Sequence, residues 1–165
     1  MTNAGLHTQG ASHTPLPGSL DMKLEVAVIP VSDVDRAKRF YENLGWRLDA
    51  DFPISDDFRI IQITPTGSQA SIIFGKGVTT ATSGGAGRLL LVVHDIVAVR
   101  ADLVARGVDV SEVFHGPGAG HRAGTDRRIP GPDSQRQSYA SFASFNDPDG
   151  NEWLLQEITQ RLPGR

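Results

Sequence analysis

Apolar and polar positions along this chain fall into two alternating rhythms, and the same succession of rhythms occurs twice. Residues 23–31 (KLEVAVIPV) are rich in Val and Ile and predict a strand, with Pro30 near its end because proline cannot donate to a ladder. Ala37, Phe40, Tyr41 and Leu44 then recur at helical spacing and define one buried face. Ser32 followed by Asp35 reads as a capping box at the start of this helix, and Gly45 as the residue that stops it. Stretches at 46–52, 58–64 and 70–75, divided by Gly, Pro and polar residues, predict three further strands. The order is β-α-β-β-β.

The second copy begins 62 positions later, the offset between Asp33 and Asp95. RLLLVV (88–93) predicts a strand, Asp95 an N-cap, Val99, Leu103 and Val104 a buried helical stripe, and Gly107 the stop. In both copies the Gly follows the Asp by 12 positions. Residues 108–114 alternate like a strand, and 138–146 with 152–158 predict a hairpin around the turn Asp147-Pro148-Asp149-Gly150. The core aromatics are expected to be Phe40, Trp46, Phe142, Phe145 and Trp153. An offset repeat of this kind predicts one α+β domain over 21–165: module one at about 22–76, a Gly/Thr/Ser linker at 77–87 and module two at 88–160.

Two segments fall outside the repeat. Residues 1–20 are small, polar and Pro/Gly-containing, lack the apolar core of a secretory signal, and predict a disordered tail. Residues 115–138 form a polar excursion with Arg122, Arg127, Arg128 and Arg136 against Asp126 and Asp133. A loop of this length inside a compact domain predicts a lid over a ligand or a solvated loop. His115 and His121 flank its start and Tyr139 follows its end, which makes them candidates for acid–base or hydrogen-bonding chemistry.

Composition narrows the chemistry. The 165 residues carry a formal net charge of −3, which argues against nucleic acid as the main partner. No apolar run reaches the roughly 18 residues of a membrane span. Without cysteine there is no disulfide, thiol nucleophile or thiolate zinc site, and the expected compartment is the cytoplasm. The glycines at 116–120 are not followed by the Lys-Ser/Thr of a phosphate-binding loop.

The pattern V-x-D-V-x-R-A-x-x-F-Y-x-x-L-G-W at 31–46, the duplicated module and F-x-D-P-D-G-N at 145–151 together resemble the vicinal oxygen chelate superfamily of glyoxalases, extradiol dioxygenases and bleomycin-resistance proteins. The resemblance spans residues 23–160 and implies two βαβββ modules forming an eight-stranded cup with the ligand inside, often in a homodimer. It also implies a divalent metal held by His and Glu on the cup strands. The positions that would carry those ligands hold Val26, then Arg88 or Leu90, then Leu154. Val and Leu have no lone pair to donate, and Arg repels a cation. Under this register Val26, Val28, Arg88, Leu90, Val92, Leu154 and Gln156 line the cup as ligand-binding residues, while Glu25 and Glu157 point away. The expectation is a binder of a small organic molecule without metal or other cofactor. The alternative is a metal-dependent lyase, isomerase or dioxygenase that uses Glu25, Glu157 or a loop His.

Overall fold

The computed structural model describes residues 22–121 and 127–163, so the tail expected at 1–20, together with Arg122 and Asp126, lies outside the described residues. The elements in chain order are β1 (Val26–Val28), α1 (Val34–Asn43), β2 (Arg47–Ser55), β3 (Phe58–Thr64), β4 (Ser71–Lys76), β5 (Arg88–Val93), α2 (Ile96–Ala105), β6 (Phe114–His115), β7 (Ile129–Pro130), β8 (Phe142–Asn146) and β9 (Glu152–Glu157). They form two mixed sheets, β1-β4-β3-β2 and β5-β9-β8-β6-β7. In each module the first strand lies parallel to the last, β1 on β4 and β5 on β9, and the other pairings are antiparallel. The repeat in the sequence is thus a repeat in topology. β7 is an addition to the expected eight strands: Ile129 and Pro130, inside the excursion, pair with His115 and Phe114.

The local reasons are similar in both copies. Asp33 caps α1 by accepting the Arg36 N–H, and Asp95 caps α2 by accepting those of Val97 and Ala98. Gly45 and Gly107 follow the helices with φ of 82° each, a left-handed conformation that costs glycine little. Ser32 does not close the capping box expected for α1. Its backbone N–H and hydroxyl both donate to Asp149 Oδ1, and Arg36 Nη2 reaches the same oxygen at 3.0 Å.

One core joins the helix-bearing faces of both sheets. Ala37, Tyr41 and Leu44 of the first module pack with Ile61, Ile63, Ile72 and Phe74, and the cluster continues through Phe145, Trp153, Leu155, Ile96 and Leu103 of the second. Tyr41 stacks on Trp46 at 5.1 Å between centroids, and Trp153 meets both rings edge-on. Burying side chains of this size contributes roughly 1.5–3 kcal/mol each before entropy is counted.

Polar groups sealed in this core fasten the modules together. Asp147 Oδ2 accepts from the Tyr41 hydroxyl and from Asn151 Nδ2, each at 2.8 Å, and the Trp153 indole N–H donates to the Tyr41 oxygen. Asn151 also donates to the Pro30 carbonyl and accepts from Ala86 N–H. The Asp-Pro-Asp-Gly-Asn turn is therefore the clasp between modules as well as the tip of a hairpin.

Three further expectations change. Val104 is 46% exposed, and Ile96 with Leu103 forms the buried side of α2 instead. Residues 108–114 are not a continuous strand: the segment touches β8 at a Val110–Phe145 bridge and becomes β6 only at Phe114. There the Ser111 hydroxyl accepts the Ser144 N–H and takes the place of a ladder carbonyl. Phe142 leaves the main core for a second cluster with Phe114, Ala119 and Leu154 on the other face of its sheet.

Candidate functional site

The alternation of β5 divides its side chains between two faces. Leu89, Leu91 and Val93 enter the shared core, which leaves Arg88, Leu90 and Val92 on the opposite, outward face. The register Arg88↔Glu152, Leu90↔Leu154 and Val92↔Gln156 adds β9 to that face, and Phe142, Ser144 and Asn146 of β8 complete it. Five of the seven expected lining residues are therefore brought together: Arg88, Leu90, Val92, Leu154 and Gln156. Val26 and Val28 lie on β1 in the other sheet, paired with Ser71 and Ile73.

A pocket of about 530 Å³ opens on this face, lined by Arg88, Leu90, Leu154, Glu152 and His121 with Gly84, Gly87, Gly120 and Gly150. Its size is in the range of small-molecule sites. A second hollow of about 740 Å³ adjoins it through Gly150 and Glu152 and is walled by Asp109, Ser111, Ser144, Asn146 and Arg128. Sequence reasoning missed Glu152 and the glycines. Glu152 was legible as the residue two before Leu154 on the same strand, but the linker glycines carry no side-chain signal.

The polar groups of the face are already engaged. Arg88 Nε donates to Glu152 Oε2 at 2.9 Å, and Nη1 donates to the Gly120 carbonyl at 3.0 Å. Gln156 is 4% exposed and its amide donates to the Tyr139 carbonyl. Tyr139 itself adopts φ of 73°, and its hydroxyl accepts from Leu162 N–H at the C-terminal strap. His121 lines the pocket and meets the Phe142 ring edge-on, whereas the His115 Nδ1 lies 2.8 Å from the Gly131 carbonyl. The two histidines thus have different surroundings, and His121 is the one at the pocket.

The donor set does not suit a divalent cation. Among the described residues no three His, Asp or Glu side chains converge. Glu25 is exposed just ahead of β1. Glu157 is fully buried on the core side, where it accepts from Ile96 N–H and, through two bonds, from Arg136. Hydrogen bonds from Arg136 hold its carboxyl below the ordinary glutamate value against the opposing effect of burial. A carboxylate held by a guanidinium and a helix N-terminus is a structural anion, and its oxygens are already used.

Paired βαβββ sheets with an open, ligand-sized face define a glyoxalase/bleomycin-resistance type of fold. The chain belongs to the Glyoxalase/Bleomycin resistance protein/Dioxygenase superfamily, whose model matches residues 23–155. Among solved structures it resembles TnmS3, an antibiotic binding protein from Streptomyces sp. CB03234, at 30% identity and TM-score 0.61, covering 85% of this chain and 98% of that one. A glyoxalase/bleomycin resistance protein from the same Streptomyces matches at 31% identity and TM-score 0.59, over 82% of this chain and 100% of that one. A superfamily member from Sphaerobacter thermophilus DSM 20745 matches at 26% and 0.59, over 84% and 99%. No curated protein matches this chain. Among the described residues no helix is long and apolar enough to cross a membrane.

Proposed function

We propose that this protein is a cytoplasmic homodimer that binds a small, antibiotic-like organic molecule on the outer face of the second sheet, without a metal ion. The observation that carries the reading is the pocket at Arg88: a guanidinium beside Leu90 and Leu154, with an acidic partner that holds it in place. A concave site that sets a leucine surface beside a few oriented polar groups, here Arg88, Glu152 and His121, has the means to hold and orient a small molecule. The likeness to an antibiotic binding protein at 30% identity supports the same ligand class.

The dimer is supported by what the single chain leaves uncovered. Val28 (49%), Phe52 (61%) and Ile54 (60%) stand exposed on the first sheet, and Leu90 (43%) and Val92 (42%) on the second. Apolar faces of this kind ordinarily meet a partner. A second copy that lays its first sheet over the second sheet of its neighbour would bring Val26 and Val28 to the same ligand as Arg88.

Titration with a panel of aromatic antibiotics, followed by calorimetry, tests the proposal. Saturable binding without turnover is expected, weakened at least tenfold by Arg88→Ala. Unchanged affinity in that variant would remove Arg88 from the site. Elemental analysis of tag-free protein is expected to find no stoichiometric divalent metal. A metal lost on Glu157→Ala would favour the metal-dependent reading instead.

A further inference from the structure

We infer that the turn 116–121 is a built-in occupant of an aromatic subsite, and that a ligand carrying a flat ring next to a hydrogen-bond acceptor takes its place. This rests on the second sheet's outer face being the binding face. The subsite floor is Phe142, stacked on Phe114 at 5.9 Å between centroids, with Leu154 beside them. All three are nearly or fully buried, although they lie on the outer face of the sheet, because the chain's own turn covers them.

The manner of covering resembles ligand binding. Gly116 and Gly118 take positive φ, and the bonds Ala119 N–H to Gly116 O and His121 N–H to Gly118 O close a tight turn. That turn lays Ala119, itself 3% exposed, and the bare backbone of Gly120 against the Phe142 ring. A Cβ at Gly120 would lie 2.1 Å from Phe142 Cε1, with two more ring atoms inside 2.6 Å, so only a residue without a side chain can sit there. The peptide is flat, and its carbonyl accepts from Arg88 Nη1. On the far side of the floor Arg128 places its guanidinium 4.0 Å from the Phe114 centroid, and its Nε is buried without a partner. Flat surface on an aromatic floor, with an acceptor aimed at a guanidinium, is the chemistry of an aromatic carbonyl, carboxylate or sulfonate. The turn's Gly120 and His121 also line the pocket at Arg88, so its departure would enlarge that pocket toward Phe142.

Because a side chain at position 120 cannot share its place with the Phe142 ring, Gly120→Ala must separate the turn from the ring and is the test, with 8-anilinonaphthalene-1-sulfonate as the probe on the full chain. Gly120 has no positive φ, so the substitution acts through the close contact and not through backbone strain. With near-UV circular dichroism unchanged, the variant is expected to bind the probe at least fivefold more tightly than wild type. Equal or weaker binding by the variant, with wild type still binding, overturns the subsite and leaves the binding face standing. Failure of both proteins to bind overturns both readings. If Gly120→Ala does not fold, hydrogen exchange of the wild type decides: the Ala119 and His121 amides should exchange faster when probe is bound. Slower or unchanged exchange would sink the inference.

Discussion

The two modules share one plan and differ in what lies on their outer faces. In the first, strands β2, β3 and β4 follow one another through short turns, and the outer face is open over β2, with Phe52 and Ile54 about 60% exposed. In the second, the chain between β6 and β8 departs on the excursion and returns across its own sheet, so that Leu154 is fully buried and Gln156 almost so. Duplication explains the frame, and the insertion explains the covered face. If the second sheet's outer face binds the proposed ligand, its own chain makes it selective about what displaces the cover, whereas an exposed apolar face is suited to meeting another surface.

The largest expected effect comes from breaking what the modules hold in common. Asp147→Ala leaves the Tyr41 hydroxyl and the Asn151 amide without their shared acceptor inside a core where both residues are 0% exposed. Orphaned buried donors and a small cavity predict a loss of about 3 kcal/mol, read from urea denaturation. Tyr41→Phe should cost less, since it removes a donor and leaves Asp147 with its other partners. If both variants cost under 0.5 kcal/mol, the turn is not the clasp between modules.

Next come the charged anchors. Glu157 ties β9 to the start of α2 and to Arg136, while in module one Asp51 on β2 accepts from Lys38 of α1 and from Arg59. Both carboxyls are held below their ordinary values, Glu157 chiefly by Arg136 and Asp51 chiefly by Arg59. A carboxyl lowered in the folded state stabilises above its unfolded value, and that contribution disappears as pH falls through the folded one. Glu157→Gln is expected to cost about 2 kcal/mol at neutral pH and to flatten the loss of stability below pH 4.5. Asp51→Asn should cost less, because its side chain is 20% exposed where that of Glu157 is 0%. A larger loss at Asp51 would reverse the ranking of the two anchors.

How much of this was legible in the sequence depends on how far apart the interacting residues are. Strands 58–64 and 88–93, the cap at Asp95 and the stops at Gly45 and Gly107 have local causes, and the structure agrees with the pattern there. That Glu157 lies on the face opposite Leu154 and Gln156 followed from the alternation of β9, but its complete burial there did not. Ser32 looked like half of a capping box because its true partner, Asp149, is 117 residues away. Val104 looked buried because α2 is apolar nearly all round, and periodicity then cannot choose a face. Nothing in the glycine-rich run at 116–120 announced that Gly120 rests on Phe142, since a close backbone approach leaves no hydropathic trace.

The smallest expected difference lies between the two helix caps, where the sequence copies look most alike. Asp33 accepts one backbone N–H, from Arg36, whereas Asp95 accepts from Val97 and Ala98 and also meets Arg136 Nη2 at 3.3 Å. Those backbone bonds lower both carboxyls, so both caps weaken as pH falls below the ordinary aspartate value of 3.8. Asp95→Ala should therefore destabilise the protein more than Asp33→Ala at neutral pH, with the order read from denaturation midpoints. A double-mutant cycle carries the comparison further. Arg136 bridges Asp95 and Glu157, so Asp95→Ala and Glu157→Gln should be non-additive, while Asp33→Ala with Glu157→Gln should add. Additivity in both cycles would mean that Arg136 serves Glu157 alone, and that the second module's cap is no better anchored than the first's.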